Sequence, residues 1–260
     1  MKKYINFAYG YPVSSFDKRM MLIKNAGFNG VFLFADDTLE EAAKAAYKAN
    51  LEIQTVHLPF KGCNVLWEEG QEGDDFVQML IDKITLVHKL NVKTVIMHTI
   101  SGRTHPEISQ IGIERFTKIL KLCEECKIHL ALENIRDLNY IDVFFKTFTS
   151  PYLAFCFDSG HANAFTKNIE TFPFENYKQH IWCLHIHDND STGDQHMIPF
   201  DAEIDFKEVM RKLKAISYKG DMTLEIQLAD EHYMDKYSEE QFLEKCYFVA
   251  TQLASWCNNE

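Results

Sequence analysis

Residues 129–161 read HLALENIRDLNYIDVFFKTFTSPYLAFCFDSGH, and the architecture of the chain follows from them. Two short runs, His129–Glu133 and Leu153–Asp158, are almost wholly apolar until each ends on a carboxylate. A strand reads this way when both its faces are covered, which is the situation in a parallel sheet clad by helices. The same pattern recurs at Tyr4–Ala8, Gly30–Phe34, Glu52–Leu58, Thr94–His98, Ile181–His187 and Met222–Ile226, giving eight candidate strands.

Amphipathic segments lie between the runs. Ser14 can cap a helix through Met20, Ile23 and Ala26 that stops at Gly27. Val77, Leu80, Ile81, Ile84 and Val87 keep the i, i+3, i+4, i+7 spacing of one helical face; Phe116, Ile119, Leu120 and Cys123 do likewise, as do Phe206, Val209, Met210 and Leu213 and the stretch from Ser238 to Trp256. Strand and helix in eightfold alternation predict a (β/α)₈ TIM barrel, with residues 1–260 as one domain. An open doubly wound sheet is the competing fold, and no GxGxxG after the first strand supports it.

Composition sets outer bounds. The chain of 260 residues is 46% apolar and 25% charged, as ordinary globular proteins are. Met1-Lys2-Lys3 is basic, but the apolar stretch after it is broken at Gly10 and Pro12, so no secretory leader is expected. No run approaches the ~18 apolar residues of a membrane helix. Cys156 and Cys183 sit inside apolar runs as small hydrophobes, and the Cys123/Cys126 pair lies late in a helical pattern with no second pair nearby. A reducing cytoplasm is the expected compartment. A net charge of −11 argues against a broad nucleic-acid surface and is compatible with a small substrate and a cation centre.

Barrel enzymes carry their chemistry where strands end. Here the third run ends at His57, the fourth at His98, the fifth at Glu133, and the sixth at Asp158 with His161 just beyond. The seventh carries His185 and His187, its loop adds Asp194 and His196, and the eighth ends at Glu225. A carboxylate at the buried end of an apolar strand needs a partner, and a cation suits so many acceptors converging on one mouth. Imidazole with carboxylate fits zinc, manganese, cobalt or iron better than calcium. Of His185 and His187, two apart and so on one side, His185 is expected to be the direct ligand and His187 to line the pocket. His88, His105, His129, His180 and His232 are expected to pack or face solvent. Tyr9, Gly10 and Trp67 are candidates to line the pocket, and Lys61, Arg103 and Arg136 stand where a phosphate would meet them.

The motifs TVHLP, ALENI, FDSGHAN, HIHDND, DQHMIPFDAEIDF and LEI, spread from His57 to Glu225, resemble the xylose isomerase-like barrel superfamily. The resemblance implies a divalent metal (Zn, Mn, Co or Mg, one to three ions per chain), a small sugar-like substrate, and a homo-oligomer of the kind such barrels often form. The epimerase branch implies a metal on Glu133, Asp158, His185 and Glu225, the two glutamates as acid and base, and His161 holding substrate. The function it implies is isomerisation or epimerisation of a small sugar or polyol derivative by proton transfer through a metal-stabilised enediolate. That branch has an arginine shortly after the strand-seven histidine; this chain has Asp190–Asp194 there. The endonuclease IV branch holds three zinc ions on nine ligands, and His57, His98, Glu133, Asp158, His161, His185, Asp194, His196 and Glu225 all have counterparts, which makes a multi-zinc phosphoesterase acting on abasic sites the alternative. No basic or aromatic insertion suited to gripping a duplex accompanies them, which weighs against nucleic acid. A barrel that binds without turnover, or performs dehydration or lyase chemistry, is the third reading. In place of the usual glycine-rich turn the chain reads Pro199-Phe200-Asp201-Ala202-Glu203, so that loop is expected to lie differently.

Overall fold

The computed structural model describes residues 1–13, 15–166, 169–227 and 233–258. Ser14 and His232, both singled out above, lie outside the described residues. Eight parallel strands stand in the order β7-β6-β5-β4-β3-β2-β1-β8. They are β1 Lys3–Asn6, β2 Gly30–Phe34, β3 Glu52–His57, β4 Thr94–Met97, β5 His129–Glu133, β6 Leu153–Asp158, β7 Ile181–His185 and β8 Met222–Leu224. Each expected strand is present, with ends moved by at most two residues, because several last residues hydrogen-bond onward without remaining in the ladder.

The circle is closed by the chain just past β7. Ile186 bridges to Leu224 in parallel sense, with Ile186 N donating to Thr223 O at 2.9 Å and Glu225 N to Ile186 O at 3.1 Å. The sheet is therefore a barrel rather than an open doubly wound sheet. Around it run α1 Phe16–Ala26, α2 Leu39–Lys48, α3 Gln71–Lys89, α4 Gln110–Cys126, α5 Asn139–Thr147, α6 Ser159–Phe165, the single turn α7 Phe174–Tyr177, α8 Phe206–Ala215 and α9 Glu239–Asn258. α1 is capped by the Ser15 side chain, one residue later than the sequence suggested. No described helix is long and apolar enough to cross a membrane.

Alternation along the strands sorts side chains between two cores. Leu130, Leu132, Phe155, Phe157 and Leu184 point outward into the large core shared with the helices. Ile96, Ala131, Ala154, Cys156 and Cys183 form a separate small cluster within the barrel. Two residues further along β4 to β7, on the same inward face, stand His98, Glu133, Asp158 and His185. The small apolar layer is thus the floor on which the polar layer rests. All seven cysteines are free thiols, and Cys123 and Cys126 take part in no described metal-capable group.

Candidate metal centre

Glu133 is the hub of the polar layer. Its Oε2 lies 2.8 Å from His98 Nε2 and 3.1 Å from His57 Nε2, and its Oε1 lies 2.7 Å from His185 Nδ1. Glu225 reaches the same Nδ1 from the other side of the seam, Oε2 at 2.8 Å. Asp158 caps α6 by accepting from His161 N at 2.6 Å, and both its oxygens lie 3.1 Å from His187 Nε2. In the loop after β7, Asp194 Oδ2 stands 3.1 Å from both His161 Nε2 and His196 Nε2. All nine expected ligands therefore converge, and His187 joins them. Except for the partly exposed Asp194, each is buried.

The backbone explains why these side chains face one another. Asn134 exchanges two hydrogen bonds with the main chain of Asp158, locking the ends of β5 and β6 together. Ser159 Oγ donates to His187 O and accepts from His187 N, fixing the chain beyond β7. Asp188 then organises the following loop: its carboxylate accepts from the N–H groups of Asn189, Phe200, Ala202 and Ile204. With that support Phe200 takes φ +78° at a position where a glycine was expected.

The donor set fits a metal ion on its own chemistry. One oxygen or nitrogen from each of Glu133, Asp158, His185 and Glu225 lies within 4.8 Å of the others, and three further groups, His57–His98–Glu133, Glu133–Cys156–His185 and His187–His196–Glu225, share members with it. His57 Nδ1 lies 2.7 Å from Leu58 O and His196 Nδ1 lies 3.1 Å from Glu225 O, so each ring must donate there. Their Nε2 atoms then face carboxylates and need a proton or a cation between. Buried His161 Nδ1, His185 Nε2 and His187 Nδ1 have no hydrogen-bond partner.

The surrounding carboxylates favour the protonated form of several of these histidines. Burial would lower His161 and His196, but Asp158 and Asp194 raise the first to about 10, and Asp194 and Glu225 raise the second to about 9. His185 is likewise raised well above its ordinary range by Glu225 and Glu133 in spite of burial. Burial favours neutral carboxyls, yet His185, His57 and His98 hold Glu133 well below its usual value, and His185 brings Glu225 down to about 2. For His98 burial outweighs Glu133 and lowers it to about 4.

Other expected residues are placed elsewhere. Trp67 is buried beside the barrel, its indole donating to Thr99 O at 2.7 Å and packed on Tyr140 and Phe144. Tyr9 is fully buried against Phe242 of α9 and donates to Glu239. Neither reaches the polar layer. His129 stacks on Trp182, His180 packs tilted against Phe145, and His105 bonds Tyr140, in packing roles. Sequence reading missed Phe60, which is exposed with its ring 4.5 Å from His98 and 5.3 Å from His57, and Phe32, stacked on His185 at 4.7 Å. Phe60 follows TVHLP directly, and that position was its only signal.

A family model described as the xylose isomerase-like TIM barrel matches residues 21–246. A curated relative, the uncharacterized protein y4fM of Sinorhizobium fredii, is 22% identical over 275 residues, covering 89% of this chain and 86% of its own. Among solved structures, D-psicose 3-epimerase from Clostridium cellulolyticum H10, determined with D-tagatose, superposes with a TM-score of 0.82 at 13% identity and full coverage of both chains. The IolI protein with a bound zinc atom gives 0.81 at 16% identity, also over the whole of both chains. The converging strand ends and the match over most of its length agree: this chain belongs to the xylose isomerase-like TIM-barrel family.

Proposed function

We propose that the protein is a divalent-metal-dependent isomerase or epimerase of a small sugar or polyol derivative. The observation that carries this reading is the pair Glu133 and Glu225, one from β5 and one from the end of β8, meeting at the same His185 nitrogen at 2.7 and 2.8 Å. Two buried carboxylates brought within 4.8 Å of one another from different strands suit removal of a proton from a carbon by one and its return by the other. Structural neighbours described as sugar 3-epimerases, and a zinc-bearing one, support it.

Glu133, Asp158, His185 and Glu225 would hold the metal, which when bound supplies a positive charge that makes a carbon acid beside a carbonyl easier to ionise. The rest falls to the chain. Glu133 and Glu225 are both kept ionised by their histidines, so either can accept the substrate proton, and the one that accepts it becomes the acid for the return step. His161, its Nδ1 unpartnered 3.8 Å from Glu133 Oε1, is placed to orient a substrate hydroxyl group, and His187 holds Asp158 in position through Nε2. Phe60 offers a ring at the mouth for the apolar face of a sugar and keeps water from the buried layer.

The test is solvent-deuterium incorporation into a panel of ketoses and inososes by the metal-loaded protein. Incorporation at one carbon, lost in Glu133→Gln and Glu225→Gln with the fold intact, is expected; full activity in both variants would overturn the assignment. One observation favours a second reading. Four overlapping metal-capable groups among the described residues suit more than one ion and thus a multi-zinc phosphoesterase. Two to three tightly held zinc ions per chain, with cleavage of an abasic-site duplex, would select it.

A further inference from the structure

A cavity of about 430 Å³ opens beside Asp194 at the mouth of the barrel. Its walls come from the loops that follow four consecutive strands: Arg103 after β4, Arg136 after β5, Phe165 at the end of α6, and Ser191, Thr192 and Asp194 after β7. Arg136 Cζ lies over the ring of Phe165, 3.6 Å from its centre, and that ring stacks in turn on His161 at 5.3 Å. The guanidinium is thereby linked to the polar layer through Phe165.

Two features of this pair of arginines need an explanation. Among the described residues neither lies within 4 Å of a carboxylate, although the chain carries 38 acidic side chains against 27 basic ones. Asp194, the acid at the cavity edge, is taken up by His161 and His196. The two guanidinium groups also repel: burial first, then the charge of Arg103, holds Arg136 below its ordinary value. Like charges lining one cavity, offset only in part by Asp194, which its histidines already engage, raise the energy of the site, and an anion entering there relieves it. Guanidinium forks match the oxygens of phosphate and carboxylate in particular.

We infer that Arg103 and Arg136 clasp an anionic group, phosphate or carboxylate, at one end of the substrate while its reacting carbons lie over Glu133 and Glu225. This deepens the isomerase or epimerase reading and rests on it for the substrate being a small sugar derivative. The two ends of such a molecule then have separate anchors, which fixes the carbon presented to the glutamates. The chain's overall negative charge would otherwise disfavour an anion, so the local pair is what admits it.

The test is calorimetric binding to the metal-loaded full chain of D-ribulose against D-ribulose 5-phosphate, and of D-fructose against D-fructuronate. Each anionic sugar is expected to bind at least tenfold tighter than its neutral counterpart. In the double variant Arg103→Gln/Arg136→Gln that preference should vanish with metal content unchanged. A preference for only one of the two anionic sugars supports the clasp and names its anion. Equal binding of charged and neutral sugars, or a preference that survives the double substitution, overturns it. So does an arginine-dependent affinity confined to a short DNA duplex. Deuterium incorporation into neutral ketoses without any charge preference would leave the proposed chemistry standing and remove the clasp. Arginine-dependent anion binding with no incorporation into any ketose would do the reverse.

Discussion

Gly160 lies directly against the ring of His187: a Cβ built on it would stand 1.9 Å from His187 Cε1. Helical backbone ordinarily favours alanine over glycine by about 1 kcal/mol, so the absence of a side chain here serves the imidazole and not the helix. Gly160→Ala should therefore push His187 off Asp158 and weaken divalent-metal affinity about 10- to 100-fold, the usual effect of disturbing a ligand's surroundings. Competition against a metal-sensitive dye measures it; unchanged affinity would show that His187 has no part in holding the ion.

The raised histidines give the chelated protein a characteristic pH response. His161 and His196 have folded values of about 10 and about 9 against an unfolded value near 6.5. Their contribution is complete below about pH 6.5 and is lost as pH rises through 9 to 10, since above that range neither state holds the protons. Metal-free protein should accordingly lose thermal stability between pH 7 and 10. Adding a divalent ion at pH 8 should release protons, which a pH-stat would count. A flat melting temperature over that range, or metal uptake without proton release, would contradict the arrangement.

Arg115 ties down the loop between β3 and α3. Fully buried, it donates to the carbonyls of Val65, Leu66, Glu68 and Gly70 and to Asp74. Arg115→Met leaves several of those carbonyls without a donor, at a cost of about 3 kcal/mol. Chemical denaturation would read the loss, and a change below 1 kcal/mol would show that water replaces the guanidinium.

Trp67→Phe separates anchoring from substrate contact. Removal of its indole N–H from Thr99 O should lower stability by about 1 kcal/mol while KM for any turned-over sugar stays within twofold. A large rise in KM with stability intact would put Trp67 back in the pocket.

Lys127 ends α4 in the left-handed region with φ +55°, exposed to solvent. Lys127→Gly removes that strain and should raise stability by about 1 kcal/mol, some 2–4 °C in melting temperature. A decrease would mean the lysine makes a compensating contact in solution.

The barrel was legible because parallel strands sheathed by helices must be apolar on both faces, and a Glu, Asp or His ending such a run stands out. The convergence of His57, His98, Glu133, Asp158, His185 and Glu225 follows from closing the sheet. Loops were less legible, since no periodicity says which way a loop residue turns. Trp67 and Phe60 leave the same strand end, yet one packs outside the barrel and the other over His98. His185 and His187 share a face as the period of two requires, and the pairing continues through Ile186 to Leu224, so both reach the polar layer, through different carboxylates. The long-range role of Arg115 left no trace in its own neighbourhood of sequence.

The bridge at Ile186 and Leu224 gives the barrel a seam, and Glu133 and Glu225 face the same imidazole from opposite sides of it. An ion shared by those carboxylates would act as a rivet across the last joint to close. Loading and ring closure would then be one event: the empty protein should breathe at that joint, and the filled one should be hooped shut.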